Sequence, residues 1–229
     1  MKALVSWSSG KDSALALYAA MKAGYEILGL LTTIDVSNDP PVVTGHRVPL
    51  NLVEKQAESL NLPLYTVELP RDLPPLHVYE KAVLETLVKL KGELGVKYVV
   101  YGDIFLWDMM EYKRRLLERV NMKPLYPLEG IDTVTLSEII LSLGFKAVVV
   151  AVDPRRAIGD LVCRDYDRVF LERLPVTVDP AGEYGEFHTF VYQAPLYRSP
   201  VNFKVQSVSM ERSETGSVVM EKLVCNIDL

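Results

Sequence analysis

Through its first half the chain alternates between short apolar runs and longer stretches of helical period. Lys2–Trp7 is a strand-like run, and Asp12–Ala23 reads as a helix with Leu15, Tyr18 and Met21 recurring on one side before Gly24 stops it. Glu26–Thr33 is a second apolar run, followed by a loop broken at Asn38-Asp39-Pro40-Pro41. Leu50–Leu60 is helical, Pro63–Leu69 a third strand, and Val78–Leu94 a long helix with Val83, Leu87, Leu90 and Leu94 on one face. Tyr98–Tyr101 is a fourth strand. Strands that alternate with helices pair in parallel and are covered on both faces, so the expected fold is α/β. Such sheets bind ligands at the carboxyl ends of their strands, which directs attention to the turns after Trp7 and Tyr101.

The second half is less regular. Trp107–Val120 and Leu136–Leu143 read as helices and Ala147–Val152 as a fifth apolar strand. Beyond Pro175, the runs Phe187–Tyr192, Phe203–Val208 and Ser217–Val224 read as strands punctuated by Pro195, Pro200 and Gly216. A smaller α+β region is expected to close over the sheet. The division falls near Lys123, giving residues 1–122 and 123–229. A chain of 229 residues suits one domain with an appendage and can bury a substantial core.

The net charge of -5 disfavours a protein that tracks long nucleic acid. No apolar run reaches the roughly 18 residues that span a bilayer. The N-terminus leads into a strand rather than a secretory signal, so the expectation is a cytoplasmic protein without a membrane role. Cys163 and Cys225 form no C-x-x-C and have no histidine at metal spacing, so they read as buried or idle thiols.

The chemistry-bearing segment is Ser8-Ser9-Gly10-Lys11-Asp12-Ser13, between the first strand and the first helix. Gly10 lets a phosphate approach the backbone, and the serines add hydroxyl donors. The unpaired amides of the following helix and its dipole favour an anion, and Lys11 adds a charge. Asp12 would shape the loop or place a magnesium ion. The common G-x-x-x-x-G-K-[ST] loop does not fit, because its first glycine is missing and Asp12 follows the lysine.

The segment resembles the S-G-G-x-D-S pyrophosphate loop of the PP-loop ATPases (N-type ATP pyrophosphatases), with Ser9 in place of the first glycine. A ligand-free helix cap uses the same residue types, but six matched positions behind an N-terminal strand favour the phosphate reading. Further segments are Gly102-Asp103-Ile104, Glu111-Tyr112-Lys113-Arg114, Lys123-Pro124-Leu125-Tyr126-Pro127-Leu128, Val152-Asp153-Pro154 and Gly182-Glu183-Tyr184-Gly185-Glu186-Phe187-His188-Thr189. Together they resemble the diphthine–ammonia ligase family along nearly the whole chain. The last stretch and the P-L-Y-P-L stretch discriminate more sharply than the loop. Longer members of that family append further domains, which the sequence to Leu229 is not expected to contain.

The resemblance implies a Rossmann-like, adenine nucleotide alpha hydrolase-like sheet domain and a smaller family-specific α+β domain. It implies that ATP activates the carboxylate of a modified histidine on translation elongation factor 2 as an acyl adenylate, with release of pyrophosphate. Ammonia then displaces AMP. Ser8, Ser9, Gly10, Lys11, Asp12 and Ser13 would hold the polyphosphate, with Gly102 and the backbone near Thr32, Thr33 and Ile34 on the nucleotide. Asp103 would bind ammonium or magnesium, and Glu183, Glu186 and His188 would bind ammonium and accept its proton. ATP and Mg2+ are the expected cofactors, and homo-oligomerisation is left open.

Bland readings stand beside these. Glu183 and Glu186 are also ordinary loop carboxylates, Asp103 a cap, His188 a packed strand histidine, and His46 and His77 surface histidines. Lys113, Arg114, Arg115 and Arg119 form either a solvated helix face or a surface for phosphate or protein. Rival functions are a tRNA-modifying enzyme of the same superfamily, amidation of another carboxylate, and an ATP sensor without turnover.

Overall fold

The structure, a computed structural model, describes residues 1–156, 158–215 and 218–229, and only the backbone of 213–215 and 218–220. Gly216 and Ser217, expected to punctuate and begin the last strand, lie outside the described residues.

Strands β1 (Lys2–Ser6), β2 (Glu26–Asp35), β4 (Leu64–Leu69), β5 (Tyr98–Val100) and β6 (Lys123–Leu125) run parallel in one sheet, and β3 (Val42–Val43) joins it antiparallel. The path is β3-β2-β1-β5-β6, with β4 also on β2. Strand β1 pairs with β2 on one side and β5 on the other, so the strand order reverses at its carboxyl end. The crevice opened by that reversal holds Ser8–Ser13 on one side and Gly102–Asp103 on the other.

Alternation along β1 sorts its side chains by face. Ala3 and Val5, with Trp7 just beyond, pack into the core shared with α1 (Lys11–Lys22) and α2 (Leu50–Leu60). Leu4 packs into a second core with Val83, Leu87 and Leu90 of α3 (Leu76–Leu94) and Leu116 and Leu117 of α4 (Trp107–Glu118). Helices therefore cover both faces, as the alternation of elements implied. The apolar side of α1 is made by Ala14, Leu15, Leu17 and Ala20, whereas Met21, expected on it, is exposed. Small residues at these positions let α1 lie close to the sheet. Helix α3 stops at Gly95, whose φ of 68° satisfies the left-handed C-terminal geometry.

After α5 (Thr133–Ser142) comes a four-stranded antiparallel sheet ordered β8-β7-β10-β9. It comprises β7 (Lys146–Val152), β8 (Phe187–Gln193), β9 (Lys204–Thr215) and β10 (Val218–Asp228), with α6 (Arg168–Arg173) between β7 and β8. The apolar strand Ala147–Val152 thus belongs to this second sheet. Residues 123–125 pair with β5 and complete the first sheet. The second sheet packs Val148, Val150, Phe187 and Phe190 into the same core as α1 and α2.

The cysteines are not idle thiols. Cys163 and Cys225 form a disulfide across 62 residues, joining the segment after β7 to β10. Among the described residues no helix is long and apolar enough to cross a membrane.

Candidate active site

The backbone of the Ser8–Ser13 loop is held from the second sheet. Ser9 has φ 70°, the left-handed geometry that glycine adopts most readily, and is fully buried. Its carbonyl accepts hydrogen bonds from the Val191 amide at 2.9 Å and the Gln56 side-chain amide at 3.0 Å. Gln56, itself buried on α2, also donates to the Val191 carbonyl at 2.7 Å and accepts from the Trp7 indole at 2.8 Å. One glutamine thereby ties β1, the loop and β8 together, and this network satisfies the strained carbonyl.

Gly10 is the N-cap of α1 and brings no capping side chain. Thr189 of β8 does that work, accepting from the Lys11 amide at 3.1 Å. A Cβ on Gly10 would sit 3.1 Å from the Thr189 carbonyl oxygen and 3.2 Å from the His46 ring. Gly102 is tighter still. A Cβ there would lie 2.7 Å from the Asp12 carbonyl carbon and 2.9 Å from the Ser13 nitrogen, so only glycine lets the end of β5 touch the first turn of α1. Ser13 donates to the Gly10 carbonyl at 2.9 Å and is bonded by the Ser8 hydroxyl at 3.2 Å.

Lys11 is buried rather than reaching into solvent. Its ammonium bonds both Asp12 oxygens, at 3.0 and 2.9 Å, and the Ala181 carbonyl, and lies 5.4 Å from the ring centroids of Tyr166 and Phe187. Burial nevertheless raises the Asp12 carboxyl above its ordinary value, against the pull of Lys11. Asp103 pairs with Lys113 at 2.6 and 2.7 Å, and that ammonium lies 4.9 Å from the Tyr101 centroid. Lys113 is thus the residue of the basic helix that enters the site. Arg114 and Arg115 pair with Glu111, and Arg119 with Glu80, on the outer surface.

Glu183 accepts from the Ile104 and Phe105 amides at 3.1 and 3.3 Å, bridging the second unit to the end of β5. Burial raises its carboxyl, helped by the charges of Asp12 and Asp103. Glu186 goes elsewhere: it is buried and accepts from the Asp179 and Tyr184 amides at 3.2 and 2.9 Å, fixing the turn through Gly182 and Gly185. Thr33 also lies apart, its hydroxyl 2.5 Å from that of Thr44 and its carbonyl accepting from the Thr44 amide.

His188 faces the cleft, and His46, expected on the surface, packs against it with ring centroids 4.4 Å apart. Lys222 of β10 sits 3.0 Å from His188 Nε2 and donates to the Gly45 carbonyl at 2.6 Å. Burial and the Lys222 charge lower His46 from 6.5 to about 3 and His188 well below its ordinary value. Both imidazoles are neutral at physiological pH. Gln56, Lys222 and the position of His46 carried no local sequence signal, since each acts across the chain; Thr189 was flagged only as the end of the Gly182–Thr189 stretch, and Lys113 only by the basic helix.

Ser8, Asp12, Asp103, Glu183, His46 and His188 line a common cleft of about 260 Å³. A larger groove of about 850 Å³ lies outside it, between α4 and β6. Among the described residues no group of three or more His, Cys, Asp or Glu is arranged to hold a metal ion. The Asp12 and Asp103 oxygens are hard donors of the type magnesium uses, which commonly takes one or two carboxylates and completes its shell with phosphate and water.

The model of the diphthamide synthase N-terminal domain matches residues 1–124, and that of the diphthamide synthase C-terminal domain matches residues 132–224. The chain belongs to the diphthamide synthase family. Diphthine–ammonia ligase of Homo sapiens is 25% identical over 222 residues, covering 85% of this chain and 79% of the human protein. Diphthine–ammonia ligase of Schizosaccharomyces pombe is 24% identical over 216 residues; the match covers 88% of this chain but 36% of the yeast protein. This family member is therefore an enzyme of diphthamide biosynthesis, of the ligase kind for which both relatives are named. A solved structure described as a predicted subunit of tRNA methyltransferase from Methanocaldococcus jannaschii is 21% identical, with a TM-score of 0.47, covering 85% of this chain and 98% of that one. Another, from Pyrococcus horikoshii Ot3, is 18% identical with a TM-score of 0.41, covering 62% and 41%.

Proposed function

We propose that the chain is a diphthine–ammonia ligase that uses ATP to convert the diphthine carboxylate of translation elongation factor 2 into an amide. The observation that carries this reading is the Ser8–Ser13 loop at the reversal of strand order, facing Asp103 and Glu183 across one cleft. In the first step a carboxylate oxygen attacks the α-phosphorus and the bond to the β-phosphate breaks, releasing pyrophosphate. In the second, the ammonia nitrogen attacks the acyl carbon, AMP leaves with the oxygen, and one proton is lost.

The α1 amides that follow Lys11, whose own amide is taken by Thr189, would cradle the leaving pyrophosphate, with the Ser8 hydroxyl as a donor once it turns from Ser13. The Lys11–Asp12 pair fixes the loop against the second unit. Magnesium, held by Asp12 with Asp103 nearby, would offset charge on the departing phosphates. Proton acceptance from ammonium falls to Glu183, whose carboxyl is raised toward the working range. His188 is a poor acceptor because its imidazole is so weakly basic, and Glu186 acts by positioning the turn that presents Glu183. A translation-factor substrate places the enzyme in the cytoplasm. The tRNA-modifying reading differs in its test: it requires pyrophosphate release that depends on tRNA rather than on the elongation factor.

The test is to incubate the protein with ATP, magnesium, ammonium and diphthine-bearing elongation factor, then assay AMP and the mass of the factor. AMP with the carboxylate-to-amide mass change, both lost without ammonium, supports the ligase. AMP without the mass change moves the search to another acceptor, and ATP binding without AMP favours a sensor. Glu183→Gln should slow the ammonia-dependent step while leaving exchange of pyrophosphate into ATP largely intact.

A further inference from the structure

We propose that His46 and His188, backed by Lys222, form a second phosphate-recognition wall beside the Ser8–Ser13 loop, which takes the terminal phosphates of ATP and the pyrophosphate derived from them. The inference rests on the ATP-using reading above and assigns its leaving-group end to residues outside the loop.

The three side chains converge from three places: the connection between β3 and α2, the start of β8, and the middle of β10. The His46 ring lies directly against the loop glycine, since a Cβ on Gly10 would come 3.2 Å from its Cε1. The His188 ring stacks behind it at 4.4 Å, and Lys222 lies 3.0 Å from His188 Nε2. Both rings line the same cleft as Ser8 and Ser13.

One feature of this cluster points to an anion, and another leaves a ring nitrogen for a ligand to engage. His46 Nδ1 is buried and has no hydrogen-bond partner, while the rest of the ring is held against the Thr189 backbone. Buried ring nitrogens are rarely left this way unless a ligand or water satisfies them. Lys222 makes its hydrogen bonds to a carbonyl and an imidazole, both neutral. Neither acceptor carries a charge that would cancel that of the ammonium. Asp72, Glu211 and Asp153 act on it electrostatically, Arg47 adds positive charge beside it, and Lys11 adds positive charge at the rings. Arg47 is itself held by Glu211 at 2.5 Å and Asp35 at 3.5 Å. The Lys222 ammonium, in contact with His188, puts a positive charge on this wall, which favours polyphosphate over ammonium. A bound phosphate would supply the missing counter-charge, let His46 take up a proton at Nδ1, and convert the orphan nitrogen into a donor.

The experiment is calorimetric titration of the full chain with inorganic pyrophosphate and, separately, with AMP. The variants are Lys222→Met, Lys222→Arg and His46→Gln. Lys222→Met is expected to weaken pyrophosphate binding by about tenfold or more. AMP affinity should be unchanged, Lys222→Arg should recover most of the loss, and His46→Gln should weaken pyrophosphate alone. The proposal is overturned if Lys222→Met and His46→Gln bind pyrophosphate like the parent, or if they lose AMP and pyrophosphate equally, as general damage would produce. If the parent protein binds neither probe, the ATP reading itself fails, and this assignment goes with it.

Discussion

The cleft has two unlike walls. One carries Asp12, Asp103 and Glu183, with Lys113 against Asp103; the other carries His46 and His188, with Lys222 behind them. The acidic wall is built where adjacent parts of the parallel sheet end, with one carboxylate donated from the second unit. The imidazole wall exists only because the antiparallel sheet folds down onto the β3–α2 connection. Carboxylates suit a cation and a proton acceptor; neutral rings backed by a buried ammonium suit an anion. The difference teaches that the loop supplies only part of the chemistry, and that the second unit decides which charge is welcome on each side.

The largest way to disturb one wall alone is through the disulfide, because Cys225 lies on the strand that carries Lys222. Closing a loop of 62 residues is worth about 4 kcal/mol in the chain-entropy picture. Cys163→Ala with Cys225→Ala, or reduction, should lower the stability measured by chemical denaturation by about that amount. An unchanged midpoint would mean that the second sheet holds Lys222 without it.

The acidic wall is disturbed most directly at Gly102. The added methyl of Gly102→Ala meets backbone of Asp12 and Ser13, which cannot swing aside as a side chain would. Displacing the loop by a fraction of its width should cut AMP formation by about a hundredfold, with the second sheet intact by circular dichroism. A smaller effect is expected at the seam between the walls. Thr189→Val leaves the Lys11 amide buried without its acceptor, at a cost of about 1–3 kcal/mol in unfolding free energy. Thr189→Ser should restore it, and equal stability of Val and Ser variants would remove the cap from the account.

How far these walls could be seen in advance follows from distance along the chain. Ser8–Ser13 and Gly102 were legible because a tight approach of backbone to phosphate or to a helix demands glycine and small residues locally. The parallel sheet was legible because its strands are apolar and its helices periodic. Strands β3 and β6 escaped because they have two and three residues, one of them proline. Thr189 caps a helix 178 residues away, and Gln56 reaches β8 across 135. No spacing rule reports such contacts. His46 looked like a loop histidine because nothing near it in the sequence shows that β8 and β10 will cover it. Glu186 and Glu183 looked equivalent, and only the course of the turn separates the carboxylate that faces the cleft from the one that braces the loop.

The smallest predicted effect distinguishes the walls by sign. His46 has an ordinary value of 6.5 in the unfolded chain and about 3 when folded, and His188 is shifted the same way. Between those values the unfolded chain binds protons that the folded one refuses. Stability contributed by the neutral rings is therefore complete above pH 6.5 and declines as pH falls, by about 1.4 kcal/mol per unit for each ring. Glu183 and Asp12 behave oppositely, because their folded carboxyls are raised. Their burial cost is present at neutral pH and is relieved as pH falls toward the ordinary carboxylate range. Lys11 and Lys222 act on the rings, Arg47, Asp72, Asp153 and Glu211 act on Lys222, and all stay in place in the variants, so their contributions largely cancel in a difference. Denaturation of the parent and His46→Gln between neutral pH and about pH 5 should give a shallower decline for the variant. For Glu183→Gln the decline should be steeper, since the compensating relief is gone. Parallel curves for all three would mean that the two walls do not differ in charge state, and the division of labour argued from their geometry would fall.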